Sequence, residues 1–262
     1  MTTATLAQVL AGDLAAALDP CELAKRVNLA PDSWQAQLLR STSKRQLVLC
    51  SRQSGKSTIA AVAACHTSLY SPGSLTLLVC PSERQSGELY KRCRGIFRSL
   101  GWPVAARTES ALRIELENGS RIIALPGSES TVRGYSAVKR LILDEAARIP
   151  PELITAVRPM LAVSGGRLMA LTTPHGAIGW FYEAWTSRDD TYERYRVTAA
   201  ECPRISEEFL EQEKRALGHF LYRQEFECEF VDASSMAFDS DAIRAAVDPS
   251  IRPLGCLTRD WI

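Results

Sequence analysis

The sequence predicts an α/β protein built around a central, mostly parallel β-sheet. Short apolar runs that suit strands buried on both faces alternate with helix-like runs along the 262 residues. The first apolar run leads into Gly-Lys-Ser and an alanine-rich helix, and two later runs end in Asp-Glu and in Thr-Thr-Pro. Because the carboxyl ends of parallel strands meet at one edge of the sheet, these polar motifs predict a ligand site at that edge.

The elements follow in order along the chain. Residues 1–20 predict a short amphipathic helix rather than a signal peptide, since they lack a basic start and a small-residue cleavage site. A helix after Pro81 has a single apolar face, with most of its arginine and lysine side chains elsewhere. The predicted core strands are four apolar runs: QLVLC (46–50), LTLLVC (75–80), RLILDEA (140–146) and RLMALTTP (167–174).

Residue patterns typical of turns, strands and helix ends predict a hairpin, a further strand and a further helix. Alternating residues on both sides of Asn118-Gly119 predict a β-hairpin. The stretch YERYRVTA (192–199) predicts a last strand of the core. A polar helix is expected to begin after Ser206, a suitable N-cap, and to end at Gly218.

The composition is that of an ordinary globular protein, with 46% hydrophobic and 23% charged residues. No apolar run is long enough to cross a bilayer, so we expect a cytoplasmic protein without a membrane partner. The eight cysteines are scattered without a CxxC pair and are predicted to be reduced core residues rather than disulfides or zinc ligands. The expected organisation is an N-terminal helical segment over 1–33, a core over 34–200, and a lid subdomain with a truncated linker over 201–262.

Charge is distributed unevenly along a chain whose net charge is only +1. From Arg84 to Arg140 there are eleven Lys/Arg against five Asp/Glu, whereas from Glu201 to Asp248 there are five against twelve. A basic middle and an acidic tail suit a polyanion-facing surface and a subunit contact. Solvated helix faces of no special role are the alternative.

The stretch SRQSGKST (51–58) predicts a phosphate-binding loop between a strand and a helix. Backbone N–H groups and the helix N-terminus would hold the phosphates, Lys56 would reach the terminal ones, and Ser57 would bind Mg²⁺. The loop is unusual because Cys50 occupies the place of its first glycine. A capped helix after a turn is the alternative. The expected nucleotide contacts are Gln53, Ser54, Gly55, Lys56, Ser57 and Thr58.

Two acids and two threonines end the neighbouring predicted strands. Asp144 is expected to hold Mg²⁺ together with Ser57, and Glu145 is a candidate general base for the attacking water. Without the phosphate loop, the acidic pair would more simply cap a helix. The hydroxyl groups of Thr172 and Thr173 are expected to bond the γ-phosphate or its water, with a Thr-Pro turn as the alternative.

These motifs, in this order and spacing, resemble the packaging ATPase domain of the large terminase subunits of tailed double-stranded DNA phages. The resemblance extends from about Trp34 to Asp241. It implies a RecA-like P-loop ATPase of the additional-strand type, with a small C-terminal lid and with ATP and Mg²⁺ as cofactors. The matching stretches are WQAQLL (34–39), RQSGKS (52–57), VRGYS (132–136), LILDEA (141–146), TTPHG (172–176) and YRQEFECEF (222–230).

The resemblance also implies roles for single residues. In that family the first glycine of the loop is commonly displaced and an arginine in the loop is usual, so Arg52 would act on the γ-phosphate. Gln35 resembles the glutamine that reads the adenine edge. Arg133 would be a finger offered to the ATP of a neighbouring subunit, unless it is a surface arginine in a turn. Thr172 and Thr173 would link hydrolysis to movement of DNA.

The implied function is ATP hydrolysis that drives double-stranded DNA into a procapsid in the host cytoplasm. The implied partners are double-stranded DNA, held non-specifically by its phosphates, further copies of the chain in a ring, the portal protein and the small terminase subunit. Large terminases continue into an RNase H-like nuclease domain, which we do not expect in these 262 residues. The acids beyond the lid, Asp239, Asp241, Asp248 and Asp260, are too few and too late to build its two-metal site.

Three alternatives remain open from the sequence. The chain could be a helicase-like or DNA-remodelling ATPase of the same fold. It could be a nucleotide-binding assembly module that does not hydrolyse ATP, although Lys56, Asp144 and Glu145 argue against this. It could also be the remnant of a truncated prophage gene.

Overall fold

The computed structural model describes residues 6–127, 132 and 134–231. The strands are β1 (Arg45–Cys50), β2 (Leu75–Cys80), β3 (Ala106–Glu109), β4 (Arg113–Leu116), β5 (Arg121–Pro126), β6 (Val138–Asp144), β7 (Arg167–Thr172) and β8 (Glu193–Val197). The α-helices are α1 (Leu6–Leu18), α2 (Pro20–Arg26), α3 (Ser33–Arg40), α4 (Lys56–Tyr70), α5 (Glu83–Ser99), α6 (Pro151–Val157), α7 (Gly179–Thr186) and α8 (Glu207–Glu225). Short 3₁₀ helices lie at Ala146–Arg148, Arg158–Leu161 and Ala199–Glu201.

The described strands form one sheet in the order β3-β4-β5-β2-β6-β7-β1-β8. The pairs from β5 to β8 are parallel, and the pairs β3–β4 and β4–β5 are antiparallel. Strand β7 lies between β1, which precedes the Gly-Lys-Ser loop, and β6, which ends in Asp144. This extra strand confirms the predicted additional-strand α/β fold and places all three polar motifs at one edge of the sheet.

The central strands are buried on both faces, as their continuous apolar sequences predict. In β1, Val48 and Cys50 belong to one hydrophobic layer with α4 and α5, whereas Leu47 and Leu49 belong to the other with α6 and α7. Helix α4 is buried throughout residues 59–65, where four alanines let it lie close to the sheet. The helix that follows the phosphate loop is therefore held firmly against the core.

The predicted hairpin is confirmed, and a third strand extends it. Strands β4 and β5 pair antiparallel around a turn in which Gly119 has a φ of 81°. Strand β3, which the sequence analysis did not predict, pairs with β4 at the outer edge. All four residues of β3 are exposed, so no hydrophobic alternation marks it in the sequence.

The predicted N-terminal helix is confirmed as α1. Its alanine Ala16 is buried in the main core, whereas its larger apolar side chains are exposed. These exposed residues are Leu6, Val9, Leu10, Leu14 and Leu18. Within the described ranges, no helix combines the length and the apolar character needed to cross a bilayer.

The cysteines of the described residues are buried and free, as predicted. They are Cys21, Cys50, Cys65, Cys80, Cys93, Cys202 and Cys228. Burial raises the pKa of Cys50 to about 11 and that of Cys80 to about 12, although both thiols lie near the site. These thiols stay protonated at neutral pH and serve as small core residues.

The polar helix begins and ends as predicted, and a second helical segment follows it within α8. The Ser206 hydroxyl accepts a hydrogen bond from the Phe209 N–H at 3.2 Å and caps α8. Gly218 leaves the helical conformation with φ 73° and ψ 169°, yet a second helical segment follows and ends at Glu225. The predicted end at Gly218 is therefore confirmed for the first segment, and this glycine forms the kink between the two segments. The continuation matters because the Glu225 carbonyl accepts a hydrogen bond from the Arg52 N–H at 3.2 Å.

Candidate nucleotide-binding site

The loop between β1 and α4 presents a row of backbone N–H groups. Its start is fixed to the edge strand β8 by a 2.9 Å hydrogen bond from the Ser51 N–H to the Val197 carbonyl. Gln53 and Gly55 have left-handed φ values of 59° and 92°. The N–H groups of residues 53–57 make no hydrogen bond to the part of the chain that the structure describes. Together with the positive end of the α4 dipole, they can bind an anion such as a phosphate.

Four side chains from α4, β6 and the residue after β6 form a polar cluster beside this loop. Lys56 Nζ lies 3.2 Å from Glu145 Oε1. The Ser57 hydroxyl donates a hydrogen bond of 2.8 Å to Asp144 Oδ2. The cluster thus combines a cation for phosphates, two oxygen ligands suited to a divalent cation, and a second carboxylate able to accept a proton.

Burial and charge oppose each other in this cluster. Burial raises the pKa of Asp144, and the ammonium group of Lys56 and the Ser57 hydroxyl work against that rise. Burial alone would lower the pKa of Lys56, but the carboxylates of Glu145 and Asp144 outweigh it and the pKa is raised. Lys56 is therefore a cation at neutral pH whose charge partly stabilises its acidic neighbours.

The two threonines at the end of β7 take different positions. The Thr172 hydroxyl accepts a 3.2 Å hydrogen bond from the Ala147 N–H and donates one of 2.7 Å to the Thr173 carbonyl. Thr172 thus braces the turn that follows Glu145, whose own backbone is left-handed with a φ of 55°. Thr173 lines an open cavity next to Lys56 and Glu145.

Two cavities lie on either side of the phosphate loop. One, of about 670 Å³, has Lys56 and Glu145 among its lining residues. The nucleotide proposed below would place its terminal phosphates there, so it is called the terminal-phosphate cavity. The other, of about 540 Å³, has a mainly apolar surface and would take the base, so it is called the base cavity. The terminal-phosphate cavity is lined by Arg52, Gln53, Lys56, Gln85, Glu145, Arg148 and Thr173. The base cavity is lined in part by Leu29, Pro31, Gln35, Gly55, Ile59 and Arg204.

Gln35 connects the base cavity to the loop. It is buried at the start of α3, where its Nε2 donates a 3.0 Å hydrogen bond to the Ser54 carbonyl. Its Oε1 accepts a 2.9 Å hydrogen bond from the Asp32 N–H. Gln35 and Thr58 both line the base cavity, so the structure brings these two predicted nucleotide contacts together on that side of the loop.

A family model described as the N-terminal part of the terminase large subunit, T4likevirus-type, matches residues 47–245. This match spans more than half of the chain. The chain belongs to this terminase family. The resemblance predicted from the sequence is therefore confirmed.

Similar proteins share this fold. The chain is 26% identical over 244 residues to the large terminase subunit of Thermus phage G20c, covering 79% of this chain and 50% of that protein. The large terminase ATPase domain of Thermus phage P74-26 superposes with a TM-score of 0.71 at 24% identity, covering 79% of this chain and 97% of that domain. The large terminase of another thermophilic bacteriophage, in complex with ADP, has a TM-score of 0.62 at 14% identity, covering 76% of this chain and 53% of that one. The chain spans about half the length of the curated relatives it matches.

In this terminase chain the loop arginine is held by the end of helix α8. Arg52 Nε donates a 2.5 Å hydrogen bond to Glu225 Oε2 at the end of α8. The Arg52 side chain is 61% exposed and that of Glu225 is 12% exposed. Arg52 also lines the terminal-phosphate cavity. The predicted finger Arg133 and the aspartates 239, 241, 248 and 260 lie outside the described residues.

Four residues that line the cavities or contact the loop carry no role predicted from the sequence. Gln85 and Arg148 line the terminal-phosphate cavity, Arg204 lines the base cavity, and Glu225 holds Arg52. Glu225 lies within the matching stretch YRQEFECEF, which was a usable signal for it. For Arg204 the sequence holds no such signal, because its partners lie 150 and 172 residues away.

Gly55 has little room for a side chain in the terminase loop. A Cβ at this position would lie 2.7 Å from Gln35 Nε2 and 3.4 Å from Arg204 Nη2, and the φ of 92° is itself strained for alanine. We expect Gly55→Ala to lower the free energy of unfolding by about 3 kcal/mol, from strain plus displaced buried side chains. Urea denaturation measures this loss.

Gly73→Ala is the matched control for that substitution. Gly73 has a φ of 73° but no atom within 4 Å of an added Cβ. Gly73→Ala should therefore lower the free energy of unfolding by about 1 kcal/mol, from conformational strain alone. Equal losses in the two variants would show that Gln35 and Arg204 do not pack tightly on the loop.

Proposed function

We propose that this chain is the ATPase motor of a phage DNA-packaging terminase, which hydrolyses ATP to move double-stranded DNA into a procapsid. The observation that carries the proposal is the phosphate loop between two unlike cavities. A nucleoside triphosphate has an apolar base at one end and charged phosphates at the other, and the two cavities match that difference. Family membership adds the packaging context, and a relative's complex with ADP supports nucleotide binding in general.

The proposed reaction is in-line attack of water on the γ-phosphate. Glu145 orients the water and accepts its proton, since its carboxylate lines the terminal-phosphate cavity beside Lys56. Lys56 and Arg52 offset charge that develops on the transferred phosphoryl group. In this proposal Thr173 contacts the γ-phosphate, because it lines the same cavity as Lys56 and Glu145, whereas Thr172 supports the turn that carries Glu145.

Mg²⁺ fits the oxygen pair of Ser57 and Asp144. Their side-chain oxygens lie 2.8 Å apart, close enough for both to approach one small cation directly or through its water shell. Hydroxyl and carboxylate oxygens are ligands that this hard cation prefers. When bound, Mg²⁺ would neutralise charge on the β- and γ-phosphates.

The proposed nucleotide contacts extend along the loop to the base cavity. Residues 53–57 offer their backbone N–H groups to the phosphates, and Thr58 follows on the base side. Gln35 lines the base cavity and has a second N–H on Nε2 beyond the one that binds Ser54, and in this proposal that N–H donates to the adenine edge.

The proposed partners follow from the packaging role. Double-stranded DNA would be held non-specifically through its phosphates, so binding should weaken steeply with salt. The chain would act as a homo-oligomeric ring in the host cytoplasm, together with the portal protein and the small terminase subunit. Within the ring, Arg133 would reach the ATP of the neighbouring subunit.

Phosphate release at increasing protein concentration tests this function. Because Arg133 would act on a neighbour's ATP, the rate per chain should rise with protein concentration and with added double-stranded DNA, and Arg133→Ala should abolish that rise. Without any phosphate release, even on DNA at high concentration, the chain would be a binding module and not a motor. Strand separation in a parallel duplex assay would instead identify a helicase-like enzyme.

A further inference from the structure

We propose that Arg204 is a positioning residue of the base cavity, which holds Asp32 against the phosphate loop and so determines how tightly the base of ATP is bound. The inference rests on the proposed function, because it concerns the same nucleotide. It adds a residue from the segment between β8 and α8, which no predicted nucleotide-binding motif includes.

Arg204 makes two charge-assisted contacts at once. Its Nη1 and Nη2 donate to Asp32 Oδ1 and Oδ2, both at 2.7 Å. Its Nη2 also donates to the Ser54 carbonyl at 3.0 Å. Such a bidentate pair fixes orientation as well as distance, so it sets where the start of α3 lies relative to the loop.

Gln35 completes a closed set of contacts with these residues. It donates to the same Ser54 carbonyl at 3.0 Å and accepts from the Asp32 N–H at 2.9 Å. Both side chains lie directly against the loop, since a methyl group on Gly55 would be 2.7 Å from Gln35 Nε2 and 3.4 Å from Arg204 Nη2. Arg204 is therefore one of two side chains that hold the loop on this side, and its substitution leaves only Gln35.

The position of this set favours an effect on the base rather than on the phosphates. Asp32, Gln35 and Arg204 line the base cavity, whose other described lining residues include Leu29, Pro31 and Ile59. Lys56, Arg52 and Glu145 lie in the other cavity. The Arg204 side chain is 48% exposed, so part of its planar guanidinium is available to stack on a base that enters.

Binding of ATP and of inorganic tripolyphosphate, measured by calorimetry on the full 262-residue chain, separates the two ends of the nucleotide. We expect Arg204→Ala to weaken the binding of ATP about ten-fold and the binding of tripolyphosphate less than about two-fold, since only ATP fills the base cavity. Arg204→Lys should lose most of the same affinity, because an ammonium group cannot make the bidentate pair. In steady-state assays, KM for ATP should rise while kcat changes little.

Asp32→Asn tests the ion pair itself. The double variant, Asp32→Asn with Arg204→Ala, should lose little more ATP affinity than either single variant. The matched control is Arg40→Ala, which removes a similar bidentate pair with Asp19 outside both cavities, and it should change neither affinity. Equal losses for ATP and tripolyphosphate, or no loss for ATP, would overturn the role of Arg204. A wild-type chain that binds neither ligand would overturn the proposed function itself, which is a different result.

Discussion

Glu145→Gln should reduce the rate of phosphate release at saturating ATP by at least about a hundred-fold while ATP still binds. The amide has the shape of the carboxylate but cannot accept a proton from water. The backbone strain at this residue, with a φ of 55°, is unchanged because both side chains have the same Cβ. Single-turnover phosphate release and equilibrium ATP binding measure the two halves of the prediction.

Glu152→Gln is the matched control for the loss of one carboxylate. Glu152 is exposed in the first turn of α6, away from the terminal-phosphate cavity, so this change should alter neither rate nor affinity. If Glu145→Gln released phosphate at the wild-type rate, another group would have to activate the water. If ATP binding were lost together with the rate, Glu145 would act mainly by supporting Lys56, whose Nζ is 3.2 Å away.

The sequence predicts the core of this fold well because its signals are local. Strand β2 spans the predicted residues 75–80, since a continuous apolar run suits a strand covered on both faces. The hairpin turn at Gly119 is marked by two residues that tolerate left-handed backbone. Strand β3 escapes prediction because its residues are exposed and gain their order from pairing with β4.

The site is predictable only in the parts that a short motif encodes. Lys56, Ser57, Asp144 and Glu145 come together because parallel strands bring the ends of their motifs to one edge. The arrangement around the motifs depends on long-range packing instead. The contact of Arg52 with Glu225 joins residues 173 positions apart, and no local pattern specifies such a pair.

Gly218 illustrates a different limit of sequence reasoning. Glycine is favoured beyond helix ends because it adopts left-handed backbone, which is why an end was expected there. The first segment of α8 does end there, at a φ of 73°, but a second helical segment follows as far as Glu225. The local conformation was predictable, whereas its consequence for the chain direction depended on how the second segment packs against the loop.

Lys56→Ala should weaken ATP binding by about a hundred-fold or more and reduce phosphate release below detection. Lys56 lies 3.2 Å from Glu145, its charge also acts on Asp144, and its side chain is only 11% exposed. Its removal takes away the phosphate contact and leaves two acids beside the loop without their shared counter-charge. Lys91→Ala, which breaks an exposed ion pair with Glu88, is the control and should change neither quantity.

The stability of Lys56→Ala relative to the wild type should depend on pH, and this dependence identifies the unbalanced charge of Asp144 as the cause of the loss. Burial raises the pKa of Asp144 and Lys56 opposes that rise, so without Lys56 the pKa rises further. Above this pKa the ionised carboxylate is destabilising, and the variant should unfold about 2 kcal/mol more easily than the wild type near neutral pH. As the pH falls through the raised pKa, Asp144 binds a proton and the difference should shrink. Thermal denaturation of both proteins from neutral to acidic pH measures this difference, and a loss that stays constant with pH would point to lost packing rather than to unbalanced charge.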